Sequence, residues 1–196
     1  INGAKRPMLL LGHGVLLGNA QKQVLELAEK AKIPVASTWL GASAFPEKHE
    51  LFYGMVGMHG NYAPNLQTNS CDVLIAIGMR FDDRVTGTLD TYAKQAKVVH
   101  FELDYAEISK NIYAHYPVHG DCAESLDALL PMIIDCDGRK DWFASWDILK
   151  NKENEIVIKN DLNPPGDKMR MAEVVRKLSD ITEGKAVIIT DVGQHQ

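Results

Sequence analysis

Short apolar runs that stop at glycine alternate along this chain with segments of helical periodicity, and that alternation leaves few folds open. Residues 7–11 (PMLLL) run into Gly12-His13-Gly14, and residues 73–77 (VLIAI) stop at Gly78. A run that is apolar at every position, and too short for a helix, suits a strand covered on both faces. Such strands belong to parallel sheets, where helical crossovers cover both sides. Further strands are expected at 34–38, 97–103 and 117–119. Between them, Val24, Leu27, Ala28 and Ala31 fall at i, i+3, i+4 and i+7, the inward stripe of a helix over 20–32. A short helix is expected at 64–69. A longer one is expected at 121–134, with Leu126, Leu129, Leu130 and Ile133 facing in and Pro131 bending it or ending it early. The expected fold class is α/β: a Rossmann-like, doubly wound parallel sheet with helices on both faces, over about residues 7–134. The stretch 41–61, rich in Gly, Pro and His, reads as loop with little regular structure.

Composition excludes several functions. The 196 residues are 45% hydrophobic and 24% charged, enough to bury an ordinary core without a metal or disulfide staple. The net charge of -5, with no Lys/Arg cluster interleaved with aromatics, argues against a nucleic-acid surface. Cys71, Cys122 and Cys136 are scattered, so neither a zinc site nor a disulfide framework is expected. That usage predicts a reducing, cytoplasmic setting. No apolar run is long enough to span a bilayer. The chain opens Ile1-Asn2-Gly3 with no initiator Met, which predicts a piece of a longer protein, with any targeting segment upstream.

After residue 134 the character changes. Residues 139–155 are charged and carry Trp142 and Trp146 at i, i+4, as in a surface helix with an aromatic anchor. Pro164-Pro165-Gly166 marks a linker. Residues 169–182 form a fresh amphipathic pattern with Val174, Val175, Leu178 and Ile181, and 186–190 read as a fresh strand. The organisation expected is a nucleotide-binding domain at 1–135, a helix and linker at 136–167, and the start of a second α/β domain at 168–196.

Ligands of open α/β sheets bind at the carboxyl ends of the strands. The chemistry-bearing residues cluster there. Gly12, His13 and Gly14, with Gly18 beyond, make a glycine-rich turn spaced GxGxxxG rather than GxGxxG, so a plain tight turn is as good a reading as a phosphate cradle. Ser37-Thr38 stands where a dinucleotide fingerprint would put an acidic residue. The run 78–84 (GMRFDDR) is more specific. Arg80 and Arg84 could hold a phosphate or stack on a planar ring, against the alternative of a salt-bridged loop. Glu102 could accept from a ribose diol, while Asp104 reads as a helix cap. His59, in the loop Gly57-Met58-His59-Gly60, could donate to a ring or phosphate, although most loop histidines are simply solvated. His115 and His119 have Pro117 between them and read as structural. No HExxH, Walker lysine motif or Ser/His/Asp order is present, and no catalytic site is expected within the chain.

Several of these segments resemble the acetolactate (acetohydroxyacid) synthase large catalytic subunits, a family of thiamine-diphosphate enzymes. The resemblance runs from about residue 7 to 196. It rests on 33–38 (IPVAST), 57–60 (GMHG), 80–87 (RFDDRVTG), 106–111 (AEISKN) and 191–196 (DVGQHQ). It implies that the chain is the middle, FAD-binding domain of a three-domain enzyme. Gly12, His13 and Gly14 would approach the FAD pyrophosphate and ribityl chain, and Thr38 and Trp39 would line the flavin. Val56, Gly57, Met58 and His59, with Gly78, Met79, Arg80, Phe81 and Asp82, would wrap the ribityl and pyrophosphate. Glu102 and Leu103 would hold the adenosine ribose, and Asp121 and Cys122 the adenine end. Met58, Asp83 and Arg84 would border the channel for 2-ketoacid substrates. Val192, Gly193, Gln194 and His195 would touch thiamine diphosphate, whose Mg2+ ligands would lie in another domain. The family works as homo-oligomers, in some members with a small regulatory subunit. The implied reaction joins pyruvate to a second 2-ketoacid with loss of CO2, in branched-chain amino-acid biosynthesis, with FAD in a structural role. The resemblance also admits another thiamine-diphosphate carboligase or oxidase, and the rival from a different class is a stand-alone nucleotide-binding module.

Overall fold

Six strands pair edge to edge, every neighbour parallel: β1 (Pro7–Leu11), β2 (Val35–Ser37), β3 (Phe52–Met55), β4 (Val73–Ile77), β5 (Lys97–Glu102) and β6 (Tyr116–His119), in the spatial order β3-β2-β1-β4-β5-β6. This is the strand order of a Rossmann-type doubly wound sheet. A computed structural model describes residues 1–136, 138–166, 169–191 and 193. They fall into two compact units, Ile1–Asp147 and Ile148–Gln196.

The core of the first unit follows from the alternation of side chains along each strand. Leu9 and Leu11 of β1, Val35 of β2, Ile75 and Ile77 of β4 and Phe101 of β5 share one face with Val24, Leu27 and Ala28 of α2 (Gln21–Ala31) and Leu126 of α5 (Cys122–Leu129). Their neighbours Met8, Leu10, Leu74 and Ala76 point the other way and are also fully buried. On that side the Thr68 hydroxyl, from α3 (Tyr62–Thr68), lies 3.6 Å from Met8 Sδ. The helices end as their residues dictate. Lys32 closes α2 in the left-handed conformation, and the Arg139 guanidinium donates to the carbonyls of Ala31 and Lys32, a cation at a helix C-terminus. Asp121 caps α5, its carboxylate accepting from the N–H groups of Ala123 and Glu124 at 2.8 and 3.1 Å. At Leu130–Met132 the helix tightens to 3-10 form, where Pro131 cannot continue α-helical bonding.

Two expectations are corrected. The segment 41–61 is not all loop: it contributes β3, an edge strand whose register shifts between Val35 and Ser37 and whose Gly54 has φ +102°. Residues 186–190 form no strand; Val187 and Ile189 are 90% and 91% exposed, and a strand without a neighbour has no ladder to hold it. The anchor of α6 (Lys140–Glu153) goes deeper than a surface helix needs. The Trp142 indole donates to the Pro7 carbonyl at 2.8 Å, and fully buried Trp146 packs against Tyr53 at 4.8 Å.

The second unit is helical by itself: the end of α6, a π-helical stretch Asn154–Ile158, α7 (Lys159–Leu162) and α8 (Met171–Ile181). None of its described residues is buried.

Candidate functional site

The order of the strands reverses beside β1: β2 leaves on one side, and β4 returns on the other. At that switch point the turns after β1 and β4 interlock. Gly12 N–H donates to Ile77 O and Gly14 N–H to Gly78 O, both at 2.9 Å. A Cβ on Gly12 would stand 2.2 Å from Gly78 O, and one on Gly78, at φ +61°, would stand 2.7 Å from Gly14 Cα. These glycines therefore let two backbones touch. The Gly12 and Gly14 amides already serve the carbonyls of Ile77 and Gly78, so these two are not available to an anion.

The neighbouring strand ends lock onto this pair. His13 is exposed and donates through Nδ1 to Leu40 O at 3.1 Å, tying the β1 turn to the turn after β2. Thr38 accepts from Gly41 N at 3.2 Å and caps the 3-10 helix Trp39–Ala44, leaving Trp39 half exposed beside the edge. Val56 is buried. Gly57 exchanges two hydrogen bonds with the Asn65 amide, at 2.8 and 3.0 Å. Met58 and His59 are exposed. Met58 N–H donates to Arg84 O at 2.9 Å, so the structure brings together the loop after β3 and the short helix α4 (Asp83–Thr86). Asp82 caps α4 through Arg84 N–H at 3.1 Å. Arg80 stands out into solvent, its Nε 3.9 Å from Asp82 Oδ2, an exposed and loose pair that leaves the guanidinium available.

Phe81 is the strained point. It is buried at φ +51°, unusual for a bulky residue, and its carbonyl accepts from the Asn111 amide at 2.9 Å. Under this loop lies His100 of β5, fully buried, 2.7 Å from Met79 O and edge-on to the Phe81 ring at 5.0 Å. Burial holds its imidazole below the ordinary histidine pKa, that is, neutral.

Farther along the edge, one oxygen of the Glu102 carboxylate accepts from the N–H groups of Leu103 and Asp104 at 2.9 and 3.1 Å. Its other oxygen retains acceptor capacity. Asp104 caps the 3-10 turn Tyr105–Glu107, and His119 donates to Leu103 O at 3.0 Å. Asp121 is committed to α5. Cys122 faces the core, and burial pushes its thiol up to about 11, so it presents only backbone to the edge. Gly193 belongs to the second unit, while Val192, Gln194 and His195 lie outside the described residues.

Chemically, the edge offers a free guanidinium, a carboxylate that can accept, imidazoles, and exposed indole and thioether surface. That set suits a ligand with phosphate, a diol and a flat ring; it binds and orients. Among the described residues, no group of three or more His, Cys, Asp or Glu could hold a metal, and no helix is long and apolar enough to cross a membrane. Sequence reasoning missed His100 and Asn111. A visible signal existed for His100, a lone polar residue inside the apolar run Val98-Val99-His100-Phe101; Asn111 closes the 106–111 motif, but nothing in the motif tied it to Phe81.

Comparison with known proteins agrees with the architecture. Residues 1–129 match the family described as "Thiamine pyrophosphate enzyme, central domain". A probable acetolactate synthase large subunit of Methanocaldococcus jannaschii is 40% identical over 98% of this chain, which covers 33% of that protein. An acetolactate synthase of Mycobacterium leprae is 39% identical over 100% of the chain, covering 32% of that protein. The acetolactate synthase isozyme 3 large subunit of Escherichia coli is 33% identical over 98%, covering 34%. The chain thus spans about a third of the length of the curated relatives it matches, and the resemblance expected from its motifs is found along nearly all of it.

Proposed function

The chain belongs to the thiamine pyrophosphate enzymes, as their central domain, and from that premise we propose that it is the middle domain of an acetolactate synthase large subunit, where it holds FAD. The observation that supports this best is the interlocking of the Gly12–Gly14 and Gly78 turns at the ends of the neighbouring parallel strands β1 and β4, with Arg80 and Glu102 at the ends of the adjacent strands β4 and β5. Arg80 takes the pyrophosphate, because the Gly12 and Gly14 amides are already engaged. The free oxygen of Glu102 accepts from the adenosine ribose. Trp39 and Met58 give the flat ring an apolar face. Met58 with Asp83 and Arg84 borders the path of a 2-ketoacid, the guanidinium pairing with its carboxylate.

In this reading the domain performs no bond-breaking step. FAD, when bound, contributes structure and no net redox change. Thiamine diphosphate, with Mg2+, would supply carbanion stabilisation in the joining of pyruvate to a second 2-ketoacid with loss of CO2, and Gly193, Gln194 and His195 are the residues of this chain proposed to contact it. The working protein is a cytoplasmic homo-oligomer, with a small regulatory subunit as a further partner. Residues 1–135 make the flavin domain, 136–167 a helix and linker, and 168–196 the start of the thiamine-binding domain.

The test is a titration of the chain, and of a longer protein containing it, with FAD, followed by flavin fluorescence. The longer protein should saturate and the chain should bind more weakly, since a site open on one side positions its donors less well. Lack of saturable binding in both removes the flavin assignment. Supplied with pyruvate, thiamine diphosphate, Mg2+ and FAD, the chain alone should form no acetolactate; turnover that survives further purification would place catalysis inside it.

A further inference from the structure

His100 sits where a sheet of this kind has little use for a histidine. It is fully buried in β5, between Ala76 of β4 and Pro117 of β6. Its Nδ1 has no hydrogen-bond partner. Leaving a buried polar atom unpaired is destabilising, and an apolar ring would fill the same space without that cost. Something must offset it, and the other nitrogen shows what. Met79 O can only accept, so Nε2 carries the proton and donates to it at 2.7 Å.

The bond matters because of where the chain leaves the sheet. Ladder pairing of β4 ends at Ile77, and Gly78 N–H still reaches Phe101 O at 2.9 Å. Beyond that point the backbone turns twice through the left-handed region, at Gly78 (φ +61°) and Phe81 (φ +51°). The imidazole N–H takes the place of a strand neighbour for Met79 O, and the ring's edge meets Phe81 at 5.0 Å. From the other side Asn111 holds Phe81 O at 2.9 Å. Arg80 lies between these two clamped residues, with no buried contact of its own to fix it. The same Nε2 is 4.0 Å from Glu102 Oε2, so one ring lies under both the loop that bears Arg80 and the carboxylate on the next strand end.

We infer that His100 is a positioning residue of the edge site: through Met79 O and the Phe81 ring it sets the backbone that aims Arg80, and it keeps that backbone in register with Glu102. It touches no ligand itself. The consequence for flavin binding rests on the FAD reading above; the consequence for the loop does not. Preorganised donors bind better because less must be ordered on binding.

The experiment compares the chain with H100F, which fills the space without a donor, and H100Q, which returns a side-chain N–H. Three quantities are read: FAD affinity, amide hydrogen exchange in residues 78–82, and the urea unfolding midpoint. H100F should bind FAD about tenfold more weakly, the equivalent of ~1.4 kcal/mol. It should also exchange faster in 78–82 while β1 stays protected, and H100Q should recover most of both. Unchanged affinity and exchange in H100F overturn the inference, as does a uniform loss of protection that merely follows the urea midpoint. Should H100F fail to fold, nitrogen NMR of the wild-type ring decides: a neutral ring protonated at Nε2 supports the inference, and one protonated at Nδ1 overturns it. If neither the wild-type chain nor a longer protein containing it binds FAD, the flavin reading falls, and the exchange data still judge His100.

Discussion

In α2, Val24, Leu27 and Ala28 recur at helical spacing and are completely buried; in α8, Val175, Leu178 and Ile181 recur at similar spacing and are 43%, 44% and 80% exposed. The patterns are of the same kind, and the difference lies in what faces them. In the first unit a sheet covered on both sides receives every stripe. The second unit is a succession of helices in which no described residue is buried. Periodicity identifies the face of a helix that gains by being covered; it does not supply the cover. Among the described residues the core lies in the first unit, and a core is what holds an edge such as the one bearing Arg80 in a fixed shape.

Substitutions can break or sharpen this contrast. The largest effect is expected at Leu10, fully buried on β1 between Ala36 and Ala76. Leu10→Ala should lower the unfolding free energy by about 2–5 kcal/mol in urea titration, because a central position cannot collapse around the lost volume. Next is Arg80→Ala, which should leave stability unchanged and weaken FAD binding by about 1.5–3 kcal/mol, the scale of a charge-assisted hydrogen bond. Arg84→Ala should weaken it less, and the reverse ranking in a flavin titration would exchange their roles. Gly12→Ala should destabilise by about 1–3 kcal/mol, since its Cβ would meet Gly78 O at 2.2 Å and push the two turns apart; flavin affinity should fall in parallel. Smallest is Leu178→Ala in α8, expected within about 0.5 kcal/mol by the same unfolding measurement. A loss above about 1 kcal/mol would mean that the second unit has a core after all, and the contrast between the units would fail.

Much of the first unit was legible in the sequence, for a physical reason. β1 and β4 are central strands, apolar at every position, and each ends at a glycine where another backbone passes. β3 was not legible, because Phe52-Tyr53-Gly54-Met55 is short, lies on the sheet edge and carries a glycine with positive φ. Nothing in its spacing separates it from the loops around it. The run 186–190 misled in the opposite direction: its β-branched residues favour a strand, but strands exist only as neighbours. At the edge, motif residues such as Arg80 and Glu102 could be placed at strand ends from the pattern alone. That Gly12 and Gly14 use their amides on β4, and that Met58 is bound to Arg84, depends on how separate loops meet, which no local pattern records.

The position of β1 also bears on how the chain acquires its shape. β1 comes first in the sequence yet lies inside the sheet, with Leu9 beside Val35 on one flank and beside Ile75 on the other. During synthesis the first flank can pair as soon as residues 35–37 emerge, but the second must wait for residues 73–77. At ribosomal speeds of roughly 5–20 residues per second, the open edge of β1 stays bare for some seconds. Long-range parallel pairing is slow even in a complete chain, so a nascent PMLLL segment keeps unpaired backbone groups on that flank longest when β4 is late. The order of the strands thus leaves one flank of β1 without its partner until β4 is made.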